Sequence, residues 1–301
     1  MSVPYTTTEL IASIKRRGTI PTNQKLMSDQ SIVDFANDEL QMYVVPKVMS
    51  AREDYFLAFN TPEISGVNPI ITEIPQDAIG MKLKDVFQEV GSSFYSLPRL
   101  DSKFVDQDVS YGFDIQNNKI LIYAQGESNF RLSYFKRPLT LALVENAGQI
   151  LSIDTGLNEV TLTAVPTAWT TATILNSVQS YQPFQAIAED ISISNIASNV
   201  LTVSSTVGLQ VGDWMNVNGY SVIPQIPVEA QIVLAQASIV KILESLGDRE
   251  GMQAAENKLK GLSDDMMTVI TPRVDNSPKK IVNRNGIFNY TNSRIVKKRW
   301  F

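Results

Sequence analysis

At 301 residues, with 44% hydrophobic and 19% charged side chains, the chain has material for one large domain or two smaller ones with separate cores. It holds neither cysteine nor histidine, which excludes disulfides, thiolate metal sites, imidazole ligands and the commonest general base, and points away from an enzyme. The formal charge of −5 is unevenly spread: residues 272–301 carry eight Lys/Arg against one acid, leaving 18 basic and 30 acidic side chains on residues 1–271.

Thr6-Thr7-Thr8-Glu9 has the spacing of a capping box. Leu10, Ile11 and Ile14 follow as a short apolar stripe that Gly18 and Pro21 end. A second helix starts near Ser28–Asp29, with Ile32, Phe35/Ala36, Leu40 and Tyr43 at helical spacing. Pro46 removes a donor inside this pattern and predicts a kink near Met42 to Tyr43 rather than a stop. The helix is expected to continue to about Ala58.

From Glu63 to Gln225 the texture changes to short β-rich runs between Gly, Pro, Asn and Asp. Strands are expected over Ile120–Ala124 and Phe130–Phe135 with a turn at Gln125–Asn129, and a strand-turn-strand over Pro69–Asp85. An internal repeat at an offset of forty matches Leu151-Ser152-Ile153 to Ile191-Ser192-Ile193, Val160 to Val200, and Ile174-Leu175-Asn176 to Trp214-Met215-Asn216. Ser/Thr/Val-rich hairpins resemble one another by chance; a true repeat predicts two β-units packed as a small sandwich or partly open barrel.

Pro227 opens a helix striped by Val228, Ile232, Ala235, Ile239, Leu243 and Leu246. Gly247–Asp248 then lead into a second, striped by Met252, Ala255, Leu259, Leu262, Met266 and Ile270, so the two are expected as an antiparallel pair. The expected class is therefore α+β: a helical bundle formed by the N- and C-terminal helices with an inserted β-rich domain and an extended C-terminal arm. The segments are residues 1–62 (bundle), 63–225 (insert, repeat at about 151–178 and 191–218), 226–271 (hairpin) and 272–301 (arm).

No phosphate loop, dinucleotide fingerprint, EF-hand loop or nucleophile elbow occurs. Asp264–Asp265 and Asp101/Asp106/Asp108 lack a ligand pattern, so neither metal nor cofactor is expected. Gly212-Asp213-Trp214 reads as a turn entering a strand whose Trp fills the core. No apolar run approaches the roughly 18–20 residues that cross a bilayer, and MSVPYTTTEL lacks a signal-peptide layout. The arm mixes charge with Ile281, Val282, Ile287, Phe288, Tyr290, Ile295 and Val296 and ends in Trp300–Phe301. That composition suits ordering against an acidic protein surface better than a solvated tail.

Four segments together resemble the head–tail connector (adaptor, or neck) proteins of short-tailed bacteriophages. They are IVDFANDELQMYVVPKVMSAREDYFL (Ile32–Leu57), IPQDAIGMKLKDV (Ile74–Val86), the stretch from Val211 to Leu259 that begins VGDWMNVNGY, and PKKIVNRNG (Pro278–Gly286). The resemblance implies a structural virion protein of the neck, assembled in the host cytoplasm as a ring of twelve copies. Such a ring docks below the portal protein, extends the DNA channel without sequence-specific binding, and offers the tail or nozzle protein a platform. It also implies that the arm docks on the portal, with Lys279, Lys280, Arg284, Arg294, Lys297, Lys298, Arg299, Trp300 and Phe301 as contacts. An acidic body suits a conduit through which DNA slides. The alternative is a host-surface binding module built on the β-repeat.

Overall fold

The computed structural model describes residues 5–19, 27–62, 69–100, 111–123 and 129–271, which belong to one compact unit. The capping box forms: the Thr6 amide donates to Glu9 Oε2 at 2.9 Å, opening α1 over Thr7–Arg17. Ser28 caps α2 (Asp29–Glu39) by accepting from the Ser31 amide. The chain stays helical through Pro46, as expected. A π-helical turn over Leu40–Val44 absorbs the proline before α3, Val45–Ala51. The helix then stops at Ala51 instead of Ala58. A 3₁₀ turn (Glu53–Phe56) leads into strand β1, Leu57–Asn60, because that stretch finds a strand partner.

The β region begins with β2 (Ile70–Glu73), β3 (Ala78–Val90), β4 (Ser93–Ser96), β5 (Gly112–Gln116), β6 (Lys119–Tyr123) and β7 (Phe130–Lys136). The expected strands are present, but neighbours in sequence separate into two sheets, ordered β1-β7-β3-β4 and β2-β6-β5. These share a core of Ile74, Val86, Phe113, Ile120, Ile122, Phe130, Leu132 and Tyr134. The expected turn at Gln125–Asn129 lies almost wholly outside the described residues. Next comes the short strand β8, Thr140–Leu141.

A closed barrel follows, where a sandwich or partly open barrel was expected. Its strands are β9 (Gly148–Asp154), β10 (Glu159–Leu162), β11 (Ile174–Val178), β12 (Ala186–Ala197), β13 (Val200–Val203) and β14 (Trp214–Val217). All pairs are antiparallel, in the order β10-β13-β12-β11-β14 and back through β9. Closure removes every free edge. The interior holds Ile150, Val160, Leu162, Trp169, Leu175, Ile191, Ile193, Leu201, Val203, Leu209 and Met215.

The barrel is an internal duplication. Strands β9, β10 and β11 correspond to β12, β13 and β14, and each pairing in one half has its counterpart in the other. The β9–β10 pairs Ile153↔Val160 and Ser152↔Thr161 match Ile196↔Leu201 and Asn195↔Thr202, and both hairpins break register at the same place. Loop bonds repeat as well. Trp169 N donates to Pro166 O (3.0 Å) as Leu209 N does to Thr206 O (3.2 Å), and Gln149 N donates to Thr163 Oγ1 as Ser192 N does to Ser204 Oγ, both at 3.1 Å. The forty-residue offset holds for β11 and β14. It grows to 41 for β10 against β13 (Val160 with Leu201) and to 43 for β9 against β12 (Ile153 with Ile196). The match of Leu151-Ser152-Ile153 with Ile191-Ser192-Ile193 is corrected accordingly, because the β9–β10 turn, Thr155–Asn158, is two residues longer than Ser198–Asn199.

After β15 (Tyr220–Ser221), which pairs in parallel with β8, the chain forms α4 (Val228–Leu246) and α5 (Arg249–Ile270). Gly247 takes a left-handed conformation (φ 74°) between them, and Asp248 caps α5 through the Gly251 amide. The expected helical hairpin is present. The expected fold class is not: the architecture is mostly β, and the helices do not form a bundle with a β-domain inserted into it. Their apolar cluster takes in Phe135 of β7 and Leu141 of β8. Their polar groups are likewise spent on β backbone. Asn37 exchanges two hydrogen bonds with Leu141, and the Thr7 hydroxyl donates to Ala142 O. The helices are one flank of a β body.

Candidate interaction site

The nine arm residues singled out from sequence, Lys279 through Phe301, lie outside the described residues, as do Asp101, Asp106 and Asp108. Asp264 and Asp265 are both exposed on α5. Among the described residues no group of three or more Asp, Glu, His or Cys is placed to hold a metal ion.

A cleft of about 630 Å³ is lined by Tyr55 of the 3₁₀ turn, strand β1, Asp77 of the β2–β3 loop, Tyr134 and Lys136 of β7, and Glu189 and Asp190 of β12. In its wall Lys136 Nζ lies 2.5 Å from Glu189 Oε1 and 3.6 Å from Asp77 Oδ2. The Tyr134 hydroxyl donates to Asp77 Oδ2 at 3.2 Å. Burial, reinforced by the Asp77 carboxylate, raises the Tyr134 phenol well above its ordinary range, so it stays a neutral donor. Both carboxylates already hold the ammonium, which makes the cluster a charged strut between β7 and the barrel. It contains no nucleophile set against a free base.

The sequence reading of Gly212-Asp213-Trp214 is corrected in detail. Trp214 is half-buried and packs outside the barrel with Ala147, Phe184, Val222 and Ile223; Met215 is the side chain that fills the interior. The buried member of the trio is Asp213. Its Oδ1 accepts from the Ser180 amide at 3.1 Å while Oδ2 is buried without a partner. Burial raises its carboxyl, and the bonds from Ser180 and Gln210 only partly offset that. A Gly-Asp pair looks like an ordinary turn in sequence, so this position carries no advance signal.

Sequence reasoning also missed Arg131. Its guanidinium sits over three rings, 4.2 Å from the centroid of Phe94, 4.7 Å from Phe59 and 5.3 Å from Phe87. Among the described residues no carboxylate lies within ion-pair reach of it. These four side chains come from β7, β1, β3 and β4, and only strand pairing brings them together.

Charge is segregated along the chain. Residues 138–240, which contain the whole barrel, hold seven Asp/Glu and no Lys or Arg, so all 26 basic side chains lie before or after them. What this geometry offers is recognition by shape and charge. No protein-family model matches the chain, and no curated protein matches it.

Proposed function

We propose that the chain is a non-enzymatic structural protein of the phage virion neck, a subunit of a head–tail connector ring. The observation that carries the reading is the opposition of charge between residues 1–271 (−12) and residues 272–301 (+7). The four segments that resemble connector proteins support it. In this role the ring docks below the portal, extends the DNA channel and receives the tail. The acidic body keeps phosphates from adhering, and the arm binds the portal through Lys279, Lys280, Arg284, Arg294, Lys297, Lys298, Arg299, Trp300 and Phe301.

The test compares the full chain with residues 1–271 for binding to purified portal particles. Loss of binding with the body still folded is expected, and undiminished binding removes the arm from the mechanism. Reversal of Lys297, Lys298 and Arg299 to Glu should slow association and flatten its salt dependence. The host-surface reading has less support: the barrel loop tips expose aliphatic side chains and one tyrosine, Tyr181, instead of the aromatic set that role predicts.

A further inference from the structure

Strand β1 ends the sheet β1-β7-β3-β4, with β7 on one side and no strand on the other. Successive residues of a strand point to opposite faces, so a groove that follows one face touches every second residue. The cleft beside Lys136 is lined by all four residues of β1, Leu57, Ala58, Phe59 and Asn60, and therefore runs along the open edge. Half of the backbone N–H and C=O groups of an edge strand point away from its partner. Among the described residues, Leu57–Asn60 make no backbone hydrogen bond outside the ladder with β7.

The other sheet shows how this fold closes an edge. β5 ends the order β2-β6-β5, yet the Phe113 amide donates to Pro98 O (3.0 Å) and Phe113 O accepts from the Leu100 amide (2.8 Å). Residues 98–100 thus occupy its outer side. Among the described residues β1 has no such cover, and it carries none of the usual deterrents to pairing. Leu-Ala-Phe-Asn contains no charge and no proline, and its register with β7 runs without a bulge. The remaining end strands, β2 and β4, do not line the cleft.

What fills such an edge must present alternating N–H and C=O groups of its own, which a polypeptide does and a phosphate backbone or a lipid does not. The rest of the lining sets its charge. Lys136 is held by Glu189 and Asp77, but among the described residues Asp190 has no cation and Arg137 no carboxylate within ion-pair reach. We infer that the cleft is a docking site for an extended peptide segment of a partner protein. The segment adds as a further strand beside β1, with a basic side chain against Asp190 and an acidic one against Arg137. The four residues of β1 give it a ladder roughly 13 Å long. The inference goes beyond the connector reading and does not rest on it, since portal binding through the arm tests that reading and strand pairing at β1 tests this one.

The test selects binders to the immobilised full chain from a display library of random decapeptides and then measures the enriched sequences as synthetic peptides. Enrichment of sequences that carry both a Lys or Arg and an Asp or Glu is expected, and failure to enrich any peptide overturns the proposal. Methylating the peptide amides one at a time should weaken binding about tenfold at every second position and little in between, the mark of a ladder. Losses without that alternation refute strand pairing. Asp190→Asn, which suits the left-handed backbone there (φ 57°), and Arg137→Gln should each weaken binding about threefold. Unchanged affinity in both refutes the charge assignment. A photoreactive benzophenone side chain in the peptide should crosslink to residues 57–60 or 185–190, and crosslinks confined to other residues overturn the proposal. A dimer of the chain that the peptide disperses would assign the edge to a second copy and overturn it too.

Discussion

Asn176 and Asn216 are paired across the β11–β14 ladder, and each is the other's equivalent in the duplicated barrel. An axis of pseudo-twofold symmetry therefore passes between them, and again at Val160 and Leu201 in β10 and β13. Equivalence of position does not bring equivalence of bonding. Asn216 accepts from the Val222 amide and donates to Trp214 O, whereas Asn176 donates to Tyr220 O and keeps a buried, unpartnered Oδ1. Val222 O in turn accepts from the Thr7 amide at the start of α1, so Asn216 links barrel to helices.

Asn216→Ala should accordingly cost about 1–3 kcal/mol, because it strands a buried amide and a carbonyl. Asn176→Ala should cost less. Urea denaturation of both variants checks the order, and equal losses would contradict it.

Two buried carboxyls predict how stability varies with pH. Burial raises both Asp213 and Glu39, with Lys241 opposing at Glu39. A raised folded-state pKa means tighter proton binding in the fold. The contribution is therefore complete below the ordinary carboxylate range and is lost as pH rises through the raised values. Asp213→Asn keeps an acceptor for Ser180 and should flatten that decline, making the variant the more stable near neutrality. Thermal melts of both proteins across that window check this, and parallel curves would refute it.

Trp169 and Leu209 are equivalent residues, each holding its loop against the barrel interior. Trp169→Ala should cost about 3–5 kcal/mol and Leu209→Ala about 2–5 kcal/mol, from lost burial and the cavity left behind. Chemical denaturation measures both. A cost below about 1 kcal/mol for Trp169 would mean that the loop is not part of the core.

Arg131 makes its contacts through rings and has no ion pair among the described residues. Arg131→Ala should destabilise by about 1–2 kcal/mol, with little change in that difference between low and high salt. Arg131→Lys should recover only part of the loss, since an ammonium lacks the planar face that stacks on rings. A salt-dependent loss would indicate a carboxylate partner instead.

Local signals in the sequence were legible where local physics decides. The capping box at Thr6, the passage of the helix through Pro46 and the Gly247–Asp248 reversal all follow from neighbours in the chain. What distant pairing decides was not. Leu57–Asn60 reads equally well as helix until β7 offers it a ladder. The alternating Ser and Ile of β9 and β12 look alike when slid along one another, so barrel closure sets a register that pattern matching cannot. The fold class failed for the same reason, because nothing local shows that Phe135 and Leu141 complete the helical core. At the site, the charge split was legible from composition, whereas Asp213 and Arg131 acquire their meaning only from burial and from strands meeting.

A barrel closed by two identical chains would carry the same residues at both mouths, and any change at one would appear at the other. Joining the halves in a single polypeptide lifts that constraint. Leu151, Val207 and Val211 stand exposed at one mouth where Ser194, Thr167 and Thr171 stand at the other, a polarity that two identical half-barrels could not possess.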